Sequence, residues 1–532
     1  MGDYAPITRA ELEKTLWGAA TALRGFMDAS DYKNYVFPAL FWKWISDNYY
    51  YEKEQFEADY EGVDLDAETR DEIEADYHAF VIPPGAFWDN VYLNKDVPDE
   101  VREKKSHPLN PRNYIGARMR SAMTAIQNAN PEKLSNIFGD AAYGNQERLK
   151  EEGLRNMLAK LAEHTFNAET VPGDSFGDAY EFLLKKFSDD SGTGAGEFFT
   201  PRPVVRLITR LLAPQPEDSI YDPACGSGGM LIEACNTVEE HGGDPRTLTL
   251  HGQEKNMTTQ AIARMNLYIH NLPEHKIIHD NTLLDPGNRR PDNSFEQYDV
   301  VIANPPFSVE DWGRESWDDD PRIIGDLAPN SYADFAFMQH MITSMKPRTG
   351  RIGVVMPHGI LFRGHAEKRI RTEILKRDLI EAVIGMPNNI FYGTPIPSCI
   401  VILRAEKAEE RKNKILFVDA STRFVKGSNM NELSDDDVNA ILSAFHDEED
   451  VDGADEGIEF RLVDMDEIES NDYDLNIGRY VQAIESALKT DQRSLVEVDL
   501  ESSIAEWNEA ELERERARDA FRNLLKEVGF GE

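Results

Sequence analysis

The chain has 532 residues, 41% of them hydrophobic and 29% charged, and carries a net charge of −40 from 57 basic and 97 acidic side chains. That length exceeds the ~250–300 residues at which a single core stops growing, so more than one domain is expected, and the apolar share is too high for wholesale disorder. The acidity excludes a chain that holds nucleic acid by its own positive surface, because phosphate affinity comes largely from Lys and Arg; it leaves no nucleic-acid partner at all, a second subunit that supplies the positive face, or an acidic surface suited to a salty cytoplasm.

The N-terminal "MGDYAPITRAELEK" lacks a basic stretch followed by an apolar one, and no run of ~18 apolar residues follows. A cytoplasmic protein without membrane attachment is expected. Residues 1–165 read as helical: "LWGAATALRGFMDASDYKNYVFPALFWKWISDNYYYEKE" has apolar residues at helical spacing, interrupted at Asp28-Ala29-Ser30, where a cap is plausible. "NYIGARMRSAMTAIQNANPEKLSNIF" and "LRNMLAKLAEHTF" continue the pattern.

Near residue 190 the grammar changes. "SDDSGTGAGEFFTPRP" is Gly-rich and then aromatic, and the short helix "VVRLITRLLAP" follows. Strands then alternate with helices: "SIYDPACGSGG", "TLTLHGQEKN", "KIIHDNTLL", "YDVVIANPPF", "RIGVVMPHGILF", "DLIEAVIGMP" and "SCIVILRAE". This order implies crossovers and a mostly parallel sheet covered on both faces, an α/β Rossmann-like domain over 166–485. "PIPSCIVIL" follows its predecessor closely enough for an antiparallel hairpin at one edge. Residues 434–458 read as a solvated acidic segment. Residues 486–532 end in a charged helix with Phe521, Leu524, Leu525 and Val528 on one stripe. That stripe fits packing within the chain or docking on another subunit, and docking is the reading carried forward.

The glycines of "YDPACGSGG" let the backbone approach a ligand, and no Lys-Ser/Thr makes the loop a phosphate-binding P-loop. Glu254 ends the next strand, where an acid accepts from both hydroxyls of a ribose, and Asp280-Asn281 end the one after, beside an adenine. Asp222 precedes the loop; its negative charge suits a cationic amino-acid moiety better than a pyrophosphate, which favours S-adenosylmethionine over a dinucleotide. Cys225 lies inside this turn and reads as a packing residue. The three cysteines, Cys225, Cys235 and Cys399, include no CxxC pair and suggest neither a disulfide framework nor a zinc site.

The fourth strand ends in Asn304-Pro305-Pro306-Phe307. An exocyclic base amine is a poor nucleophile because its lone pair is delocalised into the ring. Two acceptors, the Asn304 side-chain carbonyl and the Pro305 backbone carbonyl, draw such a nitrogen towards sp³ character. Phe307 offers a stacking face for a base rotated out of its helix, worth roughly 1–3 kcal/mol. The prolines hold the acceptors in register. Residue by residue, this is an amino-methyltransferase corner that needs no metal.

"GEFFTPRP", "DPACGSGGMLIEA", "NPPF", "GVVMPHGILFRG" and "GMPNNIFYGTPIPSCIVIL" together resemble the motifs of γ-type adenine-N6 DNA methyltransferases. Residues 16–47 resemble the helical N-terminal domain of the HsdM family, the modification (M) subunits of type I restriction–modification systems. "NDYDLNIGRYV" resembles that family's later signature, with Gly478 where proline is expected. The resemblance implies that Glu197, Phe198, Phe199, Thr200, Pro201 and Arg202 close over the cofactor. It also implies that Ser227, Gly228 and Gly229 line the cofactor's methionine part, and that Phe391 sets a second aromatic ring against the flipped adenine. The implied partners are double-stranded DNA, a separate specificity (S) subunit with two M per S, and a restriction (R) subunit. Two rivals stand beside this reading. One is a protein-glutamine methyltransferase, which solves the same problem at a carboxamide nitrogen; the other is a non-catalytic assembly subunit. The basic run 367–377 reads either as a solvated helix face or as a phosphate contact.

Overall fold

The computed structural model describes residues 6–139, 141–171, 174–190, 199–391, 396–427, 430–446 and 457–481. The C-terminal helix read over 486–532 lies outside the described residues. Among the described residues no helix is long and apolar enough to cross a membrane.

The N-terminal region is helical, as its periodicity predicts. Its first helix, Arg9–Thr21, is closed by a capping box in which Thr8 and Glu11 satisfy each other's backbone N–H groups. The expected interruption falls at a 3₁₀ turn, Ala29–Asp31, before the long helix Tyr32–Asp59. That helix buries Val36, Phe37, Leu40, Phe41, Trp42 and Ile45, and the Trp42 indole N–H donates to Ala86 O at 2.9 Å. Lys43 is buried on the same helix and paired with Asp47, whose carboxylate also accepts the Phe166 N–H at 2.7 Å. A buried charge pair tolerates its desolvation only when its remaining acceptor sites are filled in this way.

The rest of the described chain is built on one nine-stranded sheet. Its strands are β1 (Ser219–Asp222), β2 (Thr249–Glu254), β3 (His275–His279), β4 (Val300–Ala303), β5 (Arg351–Pro357), β6 (Ile380–Gly385), β7 (Ser398–Arg404), β8 (Lys414–Asp419) and β11 (Glu459–Asp464). A separate two-stranded ribbon is formed by β9 (Val425–Lys426) and β10 (Asn431–Glu432). The sheet order is β11-β8-β6-β7-β5-β4-β1-β2-β3. β3, β2, β1, β4 and β5 are mutually parallel. The seven strands read from the sequence are all present. β7 does run antiparallel to β6, and it also pairs antiparallel with β5; β8 and β11 extend that end of the sheet further.

Alternation along the strands splits the core in two. Val300 and Ile302 of β4 face one apolar cluster with Ile384 and Ile400, while Val301 and Ala303 face another with Val354 and Val401. Strands buried on both faces need unbroken apolar runs, and β5, β6 and β7 have them. The helix Met257–Ile269 after β2 belongs to both halves: Ala263 and Leu267 pack towards the sheet, and Ile262, Met265 and Tyr268 join the N-terminal core. Arg264 of this helix donates to the carbonyls of Ser135 and Lys133, each at 2.5 Å. The helix Ser175–Asp190 also packs into the N-terminal core through Phe176, Tyr180, Leu183 and Phe187.

Candidate active site

The carboxyl ends of β1, β2, β3 and β4 place Asp222, Glu254, Asp280 and Asn304 along one edge of the sheet. After β1 the chain turns through Gly226 (φ +53°) and Gly228 (φ +82°), both in the left-handed region that only glycine enters without cost, and starts the helix Gly229–Glu240. The turn is fixed from below. Gly226 N–H donates to Glu254 Oε2 at 3.2 Å, Cys225 N–H donates to Gln253 O at 3.0 Å, and Asn266 Nδ2 donates to Ser227 O at 3.0 Å. Glu254 Oε1 also accepts the Asn256 N–H at 2.7 Å.

A cleft opens over this turn, lined by Thr200, Arg202, Asp222, Ser227, Gly229 and Asn304 among others. A Cβ added at Gly229 would meet no atom within 4 Å, so the helix start is open to a ligand. The cleft is acidic. Burial pushes the Asp222 carboxyl up to about 8, and burial also raises those of Glu254, Glu181 and Glu233. The arginines nearby are committed: Arg202 to Asp178 (2.7 Å) and Glu181 (2.5 Å), Arg206 to Glu233 (3.3 Å) and Asp435 (2.7 Å). Carboxyls held back from ionisation by burial gain most from a ligand with cationic groups, as S-adenosylmethionine is. Burial drives the Cys225 thiol far above its ordinary range, and its side chain packs against Gly252 of β2, in keeping with a packing role.

At the end of β4, Asn304 Nδ2 lies 3.0 Å from Thr200 Oγ1. With the amide nitrogen engaged there, the side-chain carbonyl of Asn304 is the atom left for a substrate. Pro305 is buried and Pro306 exposed. Phe307 meets Phe391 edge-to-face, ring centroids 6.2 Å apart and planes at 73°. The two residues are 84 positions apart, and the fold brings them together at the corner. Phe199, Pro201 and Arg202 flank Thr200 at the cleft or beside it. Asp280 is exposed and accepts the N–H of Asn281 through its side chain, and the Asn281 side-chain Oδ1 accepts from Leu283 N–H at 3.0 Å. Glu197 and Phe198 lie outside the described residues.

Asp334 and Arg363, which sequence reading did not single out, hold this corner, and Arg322 holds the neighbouring Thr282–Leu283 segment. Ser308, with φ +54°, donates its N–H to Asp334 Oδ1 at 2.7 Å, and Arg363 Nη1 meets Asp334 Oδ2 at 2.9 Å. Arg322, also buried, reaches across from the loop after β4 to the carbonyls of Thr282 and Leu283, both at 3.0 Å, with its guanidinium 3.9 Å over the Trp317 ring. Arg363 lies within the quoted "GVVMPHGILFRG" segment, but no local pattern marks its pairing with Asp334, nor the contacts of Asp334 and Arg322, since each acts on a segment dozens of residues away. The basic run is spent on the protein itself: Arg371 is buried and donates to Ile360 O, Arg363 O and Tyr473 O, and Arg369 pairs with Asp326.

Comparison with known proteins settles the family. The N-6 DNA methylase family matches residues 171–488, and the HsdM N-terminal domain matches residues 12–161. The chain belongs to the N-6 DNA methylase family. It is 30% identical to the type I restriction enzyme MpnII methylase subunit of Mycoplasma pneumoniae, over 89% of this chain and 90% of that one. It is 32% identical to the MjaVIII methylase subunit of Methanocaldococcus jannaschii, over 84% of this chain and 74% of the relative. The crystal structure of a type I restriction–modification methyltransferase subunit from Streptococcus thermophilus superposes with a TM-score of 0.75 at 31% identity, covering 90% of this chain and all of that one. As an N-6 DNA methylase with an HsdM N-terminal domain, the chain has the make-up of a type I modification subunit, an S-adenosylmethionine-dependent enzyme specific for adenine in DNA.

Proposed function

We propose that the Asn304–Phe307 corner transfers a methyl group to N6 of an adenine flipped out of double-stranded DNA, in an assembly whose sequence specificity comes from a separate S subunit. One observation carries the residue-level reading: Asn304 stands at the end of β4 with its amide nitrogen on Thr200 and the Phe307–Phe391 pair beside it. Bound S-adenosylmethionine supplies an electrophilic sulfonium methyl. Glu254 holds its ribose, Asp280 and Asn281 its adenine, and Asp222 with Ser227, Gly228 and Gly229 its methionine part, with residues 199–202 beside it. Asn304 Oδ1 and the Pro305 carbonyl accept from the adenine N6 hydrogens and localise the nitrogen lone pair. Phe307 and Phe391 hold the extruded base by stacking, which replaces part of the stacking lost from the duplex.

The chain divides in this reading into a helical N-terminal domain (1–165), the methyltransferase domain (166–485) and a subunit-docking tail (486–532). The partners are two M chains per S subunit, with an R subunit in the full complex, working in the cytoplasm. The net charge of −40 supports a separate subunit as the source of most DNA affinity. The test is transfer of labelled methyl from S-adenosylmethionine by the chain copurified with its S subunit, comparing wild type with Asn304→Ala. Label on DNA adenine that the substitution abolishes supports the assignment; label on protein, or transfer indifferent to Asn304, refutes it.

A further inference from the structure

We infer that Asp334 and Arg363 form a clamp that positions the Asn304–Phe307 corner, acting on the target base through the backbone rather than by touching it. The inference rests on the catalytic reading above. Pro305 and Pro306 have no N–H to anchor, so the corner is stiff within itself but needs fixing at its far end. Ser308 provides that point. It sits in the left-handed region (φ +54°), which strains a non-glycine residue and persists only where surroundings over-determine it.

The over-determining group is the Asp334 carboxylate. It is 99% shielded from solvent, accepts the Ser308 N–H at 2.7 Å through one oxygen, and meets Arg363 Nη1 at 2.9 Å through the other. Immediately beyond, Ala333 N–H donates to Val309 O at 3.1 Å, so the base of the long loop after β4 is closed by two bonds side by side. Arg363 also meets Glu367 Oε1 at 3.3 Å, and its guanidinium lies 4.2 Å over the Tyr332 ring. A Cβ at Gly359 would come within 2.4 Å of this guanidinium, so the helix after β5 is shaped around it. Asp334 thereby ties β4's catalytic end to the end of β5. A free carboxylate buried beside Glu367 would be unstable without the arginine, and the arginine alone would give Ser308 no acceptor.

The clamp is tested in the complex with the S subunit by four variants: Asp334→Ala, Asp334→Asn, Arg363→Lys and the control Asn304→Ala. Misplacement of reacting groups by about 1 Å can cost on the order of 100-fold in rate. The expected result for Asp334→Ala is therefore a kcat fall of roughly that size, with S-adenosylmethionine affinity unchanged and weaker fluorescence from 2-aminopurine placed at the target adenine. Asp334→Asn keeps an oxygen for the Ser308 N–H and should recover a substantial part of kcat; Arg363→Lys should be intermediate. The proposal falls if Asp334→Ala keeps wild-type kcat, if it loses cofactor affinity in proportion to kcat, or if Asp334→Asn is as impaired as Asp334→Ala. An active Asn304→Ala would instead overturn the catalytic reading itself, which separates the two failures.

Discussion

With Asp222 facing the cofactor's methionine moiety, as proposed, cofactor binding should be a proton-linked event. Burial raises its carboxyl to about 8, against an ordinary value near 3.9, and the neighbouring Glu254 charge adds to the effect. At pH 7 most free molecules then carry it protonated, and at pH 6 nearly all do. A cationic methionine moiety beside it favours the ionised form, so binding must expel the proton. Two quantities follow. Affinity should rise severalfold, approaching about tenfold, from pH 6 to pH 7, and up to about one proton should be released per cofactor bound. The rise should flatten near pH 8, where both Asp222 and the cofactor's own α-amino group titrate. Calorimetric titration of S-adenosylmethionine at pH 6, 6.5 and 7, in buffers of differing ionisation enthalpy, reads both numbers. Asp222→Asn should lose most of the slope and most of the proton release. A wild type that binds equally well at pH 6 and 7, or an Asp222→Asn variant with the same slope and proton count, would refute the reasoning.

Further outcomes follow from the same geometry. Glu254→Ala removes two charge-assisted bonds to a ribose at about 1.5 kcal/mol or more each, so S-adenosylmethionine Kd should rise about 100-fold or more by calorimetry. Phe391→Ala should leave cofactor affinity alone and lower kcat/KM for target DNA by roughly 5- to 150-fold, the value of about 1–3 kcal/mol of stacking. Gly228→Ala forces a Cβ onto φ +82° and should lower Tm and cofactor affinity together, with a stability loss of about 1–2 kcal/mol in denaturant titration. Arg322→Leu should loosen the Thr282–Leu283 segment, seen as faster amide hydrogen exchange there and weaker cofactor binding with unaltered stacking of the target base.

The parts of the fold that a local pattern encodes were legible from the sequence. Strand runs entering glycine or proline turns place Asp222, Glu254, Asp280 and Asn304 at strand ends, and in a parallel sheet those ends must share one edge. The meeting of Thr200 with Asn304 and of Phe307 with Phe391 follows from motif resemblance more than from physics, since nothing local links positions 104 and 84 residues apart. β8 escaped because it is a short apolar run between charges, and β11 because Arg461 breaks its apolar residues; both are stabilised by pairing rather than by their own pattern. Asp334, Arg363 and Arg322 escaped for a similar reason. A buried charge is recognisable only once its partner is known, and here each partner is a backbone group or side chain brought close by tertiary structure. Gly478, standing where proline was expected, donates its N–H to Asn476 Oδ1 at 3.3 Å, a bond proline could not make, and the departure stays within that turn.

The most direct measurement of the central claim is mass spectrometry of nucleosides from DNA incubated with labelled S-adenosylmethionine and the chain in complex with its S subunit, wild type against Asn304→Ala. The expected result is labelled N6-methyladenine from the wild type and none from the variant, with the variant still binding cofactor. Label on cytosine or on a protein glutamine, or N6-methyladenine undiminished in Asn304→Ala, would contradict it.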